Sequence, residues 1–245
     1  MPSTALVSSG PGLTAAPDRE LVAAVRSALA AVADPRRAPE MQAYMKSAMP
    51  FLGVPKPVRV KALRPVFAAH PLPDAASWQA TILAIWRGAA YREERYAAIA
   101  LSGHRPYRAF STSAALGMYE EMIVDGAWWD YVDEIASRRI GPMLAAEPAV
   151  LRPVMLRWSR DGDRWRRRTS IICQLGFGEA TDLSLLRSCI EANLGDPDFF
   201  IRKAIGWALR QYARTDPDEV RRYVHSLGPA LSPLSRREAL KHIRS

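Results

Sequence analysis

A short signature recurs along the chain and limits what it can fold into. Arg168-Thr169-Ser170-Ile171 is echoed by Arg202-Lys203-Ala204-Ile205 and again by Arg237-Glu238-Ala239-Leu240. The offsets are 34 residues (168 to 202) and 35 residues (202 to 237), and Tyr96-Ala97-Ala98-Ile99 stands 72 residues before Arg168, about two periods. A period in the mid-thirties suits a unit of two helices, which cannot bury its own apolar face and must share a core with its neighbours. That is the signature of an α-solenoid near the HEAT or armadillo class. A four-helix bundle is the plainer alternative, and the number of helical stripes argues against it.

The spacing of apolar residues agrees. From Asp18 onward the pattern is helical almost throughout, beginning with Leu21, Val25, Leu29 and Val32 on one stripe. Further stripes fall at roughly 76–102, 113–125, 128–140, 148–159, 164–176, 182–194, 199–213, 217–227 and 233–243. Asp196-Pro197, Asp216-Pro217 and Ser232-Pro233 read as helix starts, because Asp or Ser caps the orphan N–H groups and Pro fits the first turn. The best strand candidate, Val58-Arg59-Val60, is too short to found a sheet. Residues 1–17 carry Ser, Gly, Pro, Thr and Ala without periodicity and read as a flexible tail. The expected fold is all-α: a right-handed α-solenoid of HEAT-like repeats with a concave basic groove, residues 18–245 forming a single domain.

Composition narrows the class further. A chain that is 49% hydrophobic and 24% charged can bury a core. Cys173 and Cys189 sit among apolar residues and are too few for a disulfide framework, which fits a reducing cytosol. No stretch approaches the ~18 apolar residues of a membrane span, and the N-terminus lacks the features of a signal peptide.

The formal charge is +9. Such a balance points to an acidic partner, nucleic acid first, against the plainer reading of a solvated arginine-rich surface. Arg152, Arg157, Arg160, Arg164, Arg166, Arg167 and Arg168 face only Asp161 and Asp163 in the same stretch, and a second basic tract runs from Arg202 to Arg244. Successive repeats would set these side chains along one wall, a spacing that suits a phosphate backbone. About half of them, Arg221 and Arg222 for instance, are expected to be solvated.

The segment Gly126-Ala127-Trp128-Trp129-Asp130-Tyr131-Val132-Asp133 carries the most chemistry. On a helix, Trp129 and Asp133 are i and i+4 and share a face. A carboxylate beside an indole is poor core material and well suited to stabilising a cation, although a Trp with a neighbouring acid is often mere packing. Trp128 points about 100° away and reads as structural, while Asp130 and Glu134 read as solvated. Arg168 follows Trp129 by 39 residues and Trp207 follows Arg168 by 39, close to one repeat each time. Two indoles, a carboxylate and a guanidinium brought together would suit a cationic nucleotide or a sugar developing positive charge.

These residues resemble the bacterial alkylpurine DNA glycosylases of the AlkD family. The resemblance covers nearly the whole chain after the tail. It is strongest from Thr181-Asp182-Leu183 through Phe199-Phe200-Ile201-Arg202-Lys203-Ala204-Ile205-Gly206-Trp207-Ala208-Leu209-Arg210 to Leu234-Ser235-Arg236-Arg237-Glu238-Ala239-Leu240. Met41-Gln42-Ala43-Tyr44-Met45-Lys46 with Phe51-Leu52-Gly53-Val54, and the Trp128–Asp133 segment, support it. The resemblance implies a solenoid of HEAT-like repeats that excises N3- and N7-alkylated purines from double-stranded DNA without flipping the base into a tight pocket. It implies Asp133 as the catalytic carboxylate, Trp129 and Trp207 as the pair around the lesion's deoxyribose, Arg168 as the arginine of that pocket, and Tyr44 as an aromatic facing DNA.

The residues fit that chemistry on their own account. A cationic purine already leaves readily, so a carboxylate need only stabilise an oxocarbenium-like sugar and deliver water, with indole faces assisting. The expected DNA contacts are Tyr44, Lys46, Arg166, Arg167, Arg202, Lys203, Arg210, Arg236 and Arg237. No cofactor or metal is expected, because His70, His104, His225 and His242 are scattered without ligand spacing, and no lysine near Trp129 suggests lyase chemistry. The expectation is a monofunctional hydrolase of base excision repair, monomeric and cytoplasmic. The alternatives are a non-catalytic protein binding DNA damage or DNA structure on the same fold, and a protein-interaction solenoid, which the arginine tracts disfavour.

Overall fold

The computed structural model describes residues 15–243. Among them every regular element is helical and no strand is present. The chain divides into two compact units, one ending at Phe110 and the other beginning at Ser111. Most of the expected tail lies outside the described residues; Ala15–Pro17 carry no regular structure, and helix formation starts where Asp18 accepts the Leu21 N–H at 2.8 Å.

The first unit holds α1 (Arg19–Ala30), α2 (Ala38–Met45), α3 (Lys56–Ala69), α4 (Ala75–Arg87) and α5 (Arg92–Ser102). The stripe Leu21, Val25 and Leu29 is fully buried, and α1 packs against α3, α4 and α5. The single stripe expected over 76–102 is two helices, separated at Gly88 and packed on each other. Val58-Arg59-Val60 is not a strand but part of α3, with both valines exposed and Arg59 buried over the Tyr96 ring at 4.4 Å. Helix α2 also departs from the expected stripes. Its C-terminal connection is gripped by α5: both oxygens of the fully buried Glu93 accept backbone N–H groups, from Leu52 at 2.9 Å and Val54 at 3.0 Å.

The second unit contains α6 (Leu116–Gly126), α7 (Trp129–Ile135), α8 (Gly141–Ala146), α9 (Pro148–Trp158), α10 (Arg164–Ile172), α11 (Leu183–Glu191), α12 (Phe199–Tyr212), α13 (Pro217–Leu227) and α14 (Pro233–Leu240). The repeat frame is realised here. Arg168, Arg202 and Arg237 fall on α10, α12 and α14, each the second helix of a pair, and these three helices pack in succession. Side-chain bonds between successive pairs join residues about one period apart: Asn193 to the Ser159 carbonyl (2.8 Å), Arg164 to Asp198 (2.8 Å) and Ser235 to the Arg202 carbonyl (2.8 Å). Cys173 and Cys189 lie in this core, and burial pushes both thiols up, Cys189 to about 11.

Two expectations are corrected in this unit. Asp216 and Ser232 cap their helices as expected, but α12 is capped by Asp198, which accepts the Phe200 N–H at 2.7 Å. Asp196 instead accepts the Asp198 N–H and pairs with Arg167. The helix expected over 128–140 ends its α-helical part at Ile135 and continues as a π-helical turn over Ala136–Ile140 into α8. Pro142 has no N–H to return to the preceding turn. The carbonyl of Arg138 receives the Arg139 guanidinium at 3.0 Å instead.

Candidate active site

The turn Gly126-Ala127-Trp128 joins α6 to α7, with Ala127 in the left-handed region (φ 41°) and Trp128 extended (φ −148°). This reversal sends the two adjacent indoles in different directions. Trp128 enters an aromatic cluster, with ring centroids 5.6 Å from Phe200 and 6.4 Å from Trp165, while Trp165 and Phe200 lie 5.1 Å apart. Its structural assignment holds, although its buried Nε1 finds no hydrogen-bond partner. Trp129 opens α7 and is half-buried, with Asp133 one turn further on the same face.

Asp133 meets Arg168. The guanidinium grips both carboxylate oxygens in a fork, Nε to Oδ1 at 2.7 Å and Nη2 to Oδ2 at 2.8 Å. The remaining Nη1 donates to the Phe200 carbonyl at 2.5 Å. One arginine on α10 therefore ties α7 to the first turn of α12. Only 16% of the Asp133 side chain and 6% of Arg168 reach solvent. Burial holds the Asp133 carboxyl above the usual carboxylate range, the Arg168 fork pulling against it and nearby Asp130 adding to it. The fork occupies one acceptor position on each oxygen and leaves the others open to a further donor or cation.

Trp207 lies seven residues after Phe200, two turns along the same face of α12, and is half-buried. The structure thus brings Asp133 and Arg168 into contact, carries Trp129 on the same face of α7 as Asp133, and carries Trp207 on the helix that Arg168 also holds. Tyr44, 76% exposed, lies in the last turn of α2, Lys46 caps that helix in the left-handed region, and both belong to the other unit.

The basic side chains are more occupied than the sequence suggests. Arg166 pairs with Glu120 (2.9 Å) and Asp161 (3.2 Å). Arg167 pairs with Asp196 (2.9 Å) and also donates to the carbonyls of Asp161 and Gly162. Lys203 and Arg210 share Glu238, Arg202 turns back to the Asp198 carbonyl at 3.4 Å, and Arg236 reaches the Gly228 carbonyl. Arg237 is exposed. Arg221 and Arg222 lie on the surface in i,i+3 pairs with Asp218 and Glu219. Glu134, expected to be solvated, stands 3.8 Å from Arg139. Asp161 lies within the arginine run itself, but nothing in the sequence pairs Glu120 or Asp196 with these arginines. Glu238 lies inside the third copy of the signature, the one place where its pairing had a signal.

The chain matches the family model described as DNA alkylation repair enzyme over residues 25–243. It belongs to that family. A solved structure described as a predicted DNA alkylation repair enzyme from Enterococcus faecalis is 31% identical, with a TM-score of 0.78, covering 87% of this chain and 97% of that one. No protein of curated function matches. Membership accounts for the helical repeats and ties the chain to the repair of alkylation damage in DNA.

Proposed function

We propose that this member of the DNA alkylation repair enzyme family is a monofunctional glycosylase that releases cationic N3- or N7-alkylated purines from double-stranded DNA. The observation that carries the reading is the Asp133 carboxylate, oriented by the Arg168 fork and flanked on its own helix face by Trp129. The C1′–N bond breaks with its electron pair passing to the purine, which neutralises the charge that alkylation placed there. Asp133 stabilises the positive sugar left behind and accepts a proton from the water whose oxygen bonds to C1′. Trp129 and Trp207 offer indole faces to the same charge, an interaction worth about 0.5–2 kcal/mol each. A carboxylate already held by a buried cation needs no reorganisation as the sugar charge develops.

Arg168 acts through Asp133 in this scheme: its fork is spent on the carboxylate and its third nitrogen, Nη1, is tied to α12. Tyr44, Lys46, Arg202, Arg236 and Arg237 are proposed as DNA contacts, with a monomer acting on duplex in the cytoplasm. The test is release of free base from duplex treated with a methylating agent, against untreated duplex. Release only from the treated duplex supports the reading. Binding without release would replace it with a non-catalytic protein that recognises damaged DNA.

A further inference from the structure

The last helix occupies the cations on either side of Trp207. Lys203, Trp207 and Arg210 follow one another along one face of α12, about a turn apart. Both cations reach Glu238 on α14, Lys203 Nζ to Oε1 at 2.9 Å and Arg210 Nη1 to Oε2 at 2.5 Å. The two helices approach closely because residue 206 is glycine. A Cβ there would stand 2.5 Å from the Glu238 Cβ and 2.9 Å from the Ser235 carbonyl oxygen, so any larger residue would push α14 away. The fully buried Ser235 adds a hydrogen bond to the Arg202 carbonyl at 2.8 Å.

The pairing is lopsided. The Glu238 side chain is 14% exposed and fixed by this packing, whereas Lys203 and Arg210 are 37% and 25% exposed and open to solvent. The hydrogen bond from Lys203 leads the influences that hold the Glu238 carboxyl below the usual range, so it stays charged wherever DNA would be bound.

We infer that Glu238 is a positioning residue that competes with DNA phosphate for Lys203 and Arg210, lowering affinity for undamaged duplex and keeping both cations beside Trp207. This rests on the reading that the Trp207 face of α12 meets DNA. A carboxylate and a phosphate offer these donors the same charge and similar geometry. Each cation held internally is a contact that the duplex does not gain and a counterion it does not release.

The test is binding of undamaged duplex by the wild type, Glu238→Gln, Lys203→Gln/Arg210→Gln and the triple variant, titrated between roughly 50 and 200 mM salt, with melting followed in parallel. Glu238→Gln should bind roughly three- to tenfold tighter at the lowest salt, its log–log salt slope steeper by about one to two units. The triple variant should lose that gain, and Lys203→Gln/Arg210→Gln alone should cost less than about twofold in affinity. Equal affinity and slope for folded Glu238→Gln would overturn the inference. So would a loss of about two slope units in Lys203→Gln/Arg210→Gln, which decides the matter even if Glu238→Gln does not fold. Base release by the wild type judges the glycosylase reading separately, and the binding results judge Glu238 whichever way that falls.

Discussion

Two carboxylates of the second unit hold cations from a neighbouring helix, and their surroundings set them apart. Asp133 faces one guanidinium that is more buried than itself, and burial holds its carboxyl up. Glu238 faces two cations that reach solvent, and its carboxyl is held down, chiefly by Lys203. In the first pair the buried guanidinium has no solvent route to another anion, so the carboxylate is fixed in place with its remaining acceptor positions free for a substrate. In the second the cations can turn to a different anion. Acid–base pairing alone does not mark a site; burial of the cation separates a fixed charge from an exchangeable one.

The comparison breaks most visibly if Arg168 is removed. Arg168→Ala strands a buried carboxylate and should cost about 3–5 kcal/mol of folding stability, measured by denaturant melting. A cost below about 1 kcal/mol would mean that the pair is as exchangeable as the one at Glu238. Acid pH should separate the two carboxylates next. If the ionised Asp133 does the chemistry, its raised folded-state value makes base release fall on acidification sooner than an ordinary aspartate near 3.9 would. Folded Glu238 keeps its charge below the ordinary glutamate range, its contribution to stability being complete above that range and lost as pH falls from there through its lowered folded-state value. Single-turnover release and melting, both followed against pH, read the two limbs. Trp207→Ala should then slow release by the equivalent of about 0.5–2 kcal/mol. A melting loss of about 3–5 kcal/mol with normal release per folded molecule would make Trp207 a core residue instead. The smallest effect belongs to the surface pair Arg221–Asp218: Arg221→Ala should change stability by less than about 0.5 kcal/mol.

The repeat frame was legible because Arg168, Arg202 and Arg237 occupy the same place in successive helix pairs, where a shared core forces the period to recur. Trp129 and Asp133 were legible because i,i+4 spacing depends only on local geometry. Helix α3 was hidden by its inverted pattern, with Val58 and Val60 exposed, Arg59 buried against Tyr96 and prolines in its first turn and interior. The π turn after Asp133 follows from Pro142 and from packing that no apolar stripe records. The partners of the arginines escaped for a different reason. Whether Lys203 meets phosphate or Glu238 depends on how closely α14 approaches α12 at Gly206, a tertiary distance that composition cannot encode.

The most direct test of the central claim compares wild type with Asp133→Asn in single-turnover release of free base from alkylated duplex, with DNA affinity and melting measured on the same preparations. The substitution keeps the side chain's shape and removes its charge. Release should fall on the order of 10²-fold or more while DNA affinity stays within a few-fold. Wild-type release by a folded Asp133→Asn protein would contradict the account and take the carboxylate out of the chemistry.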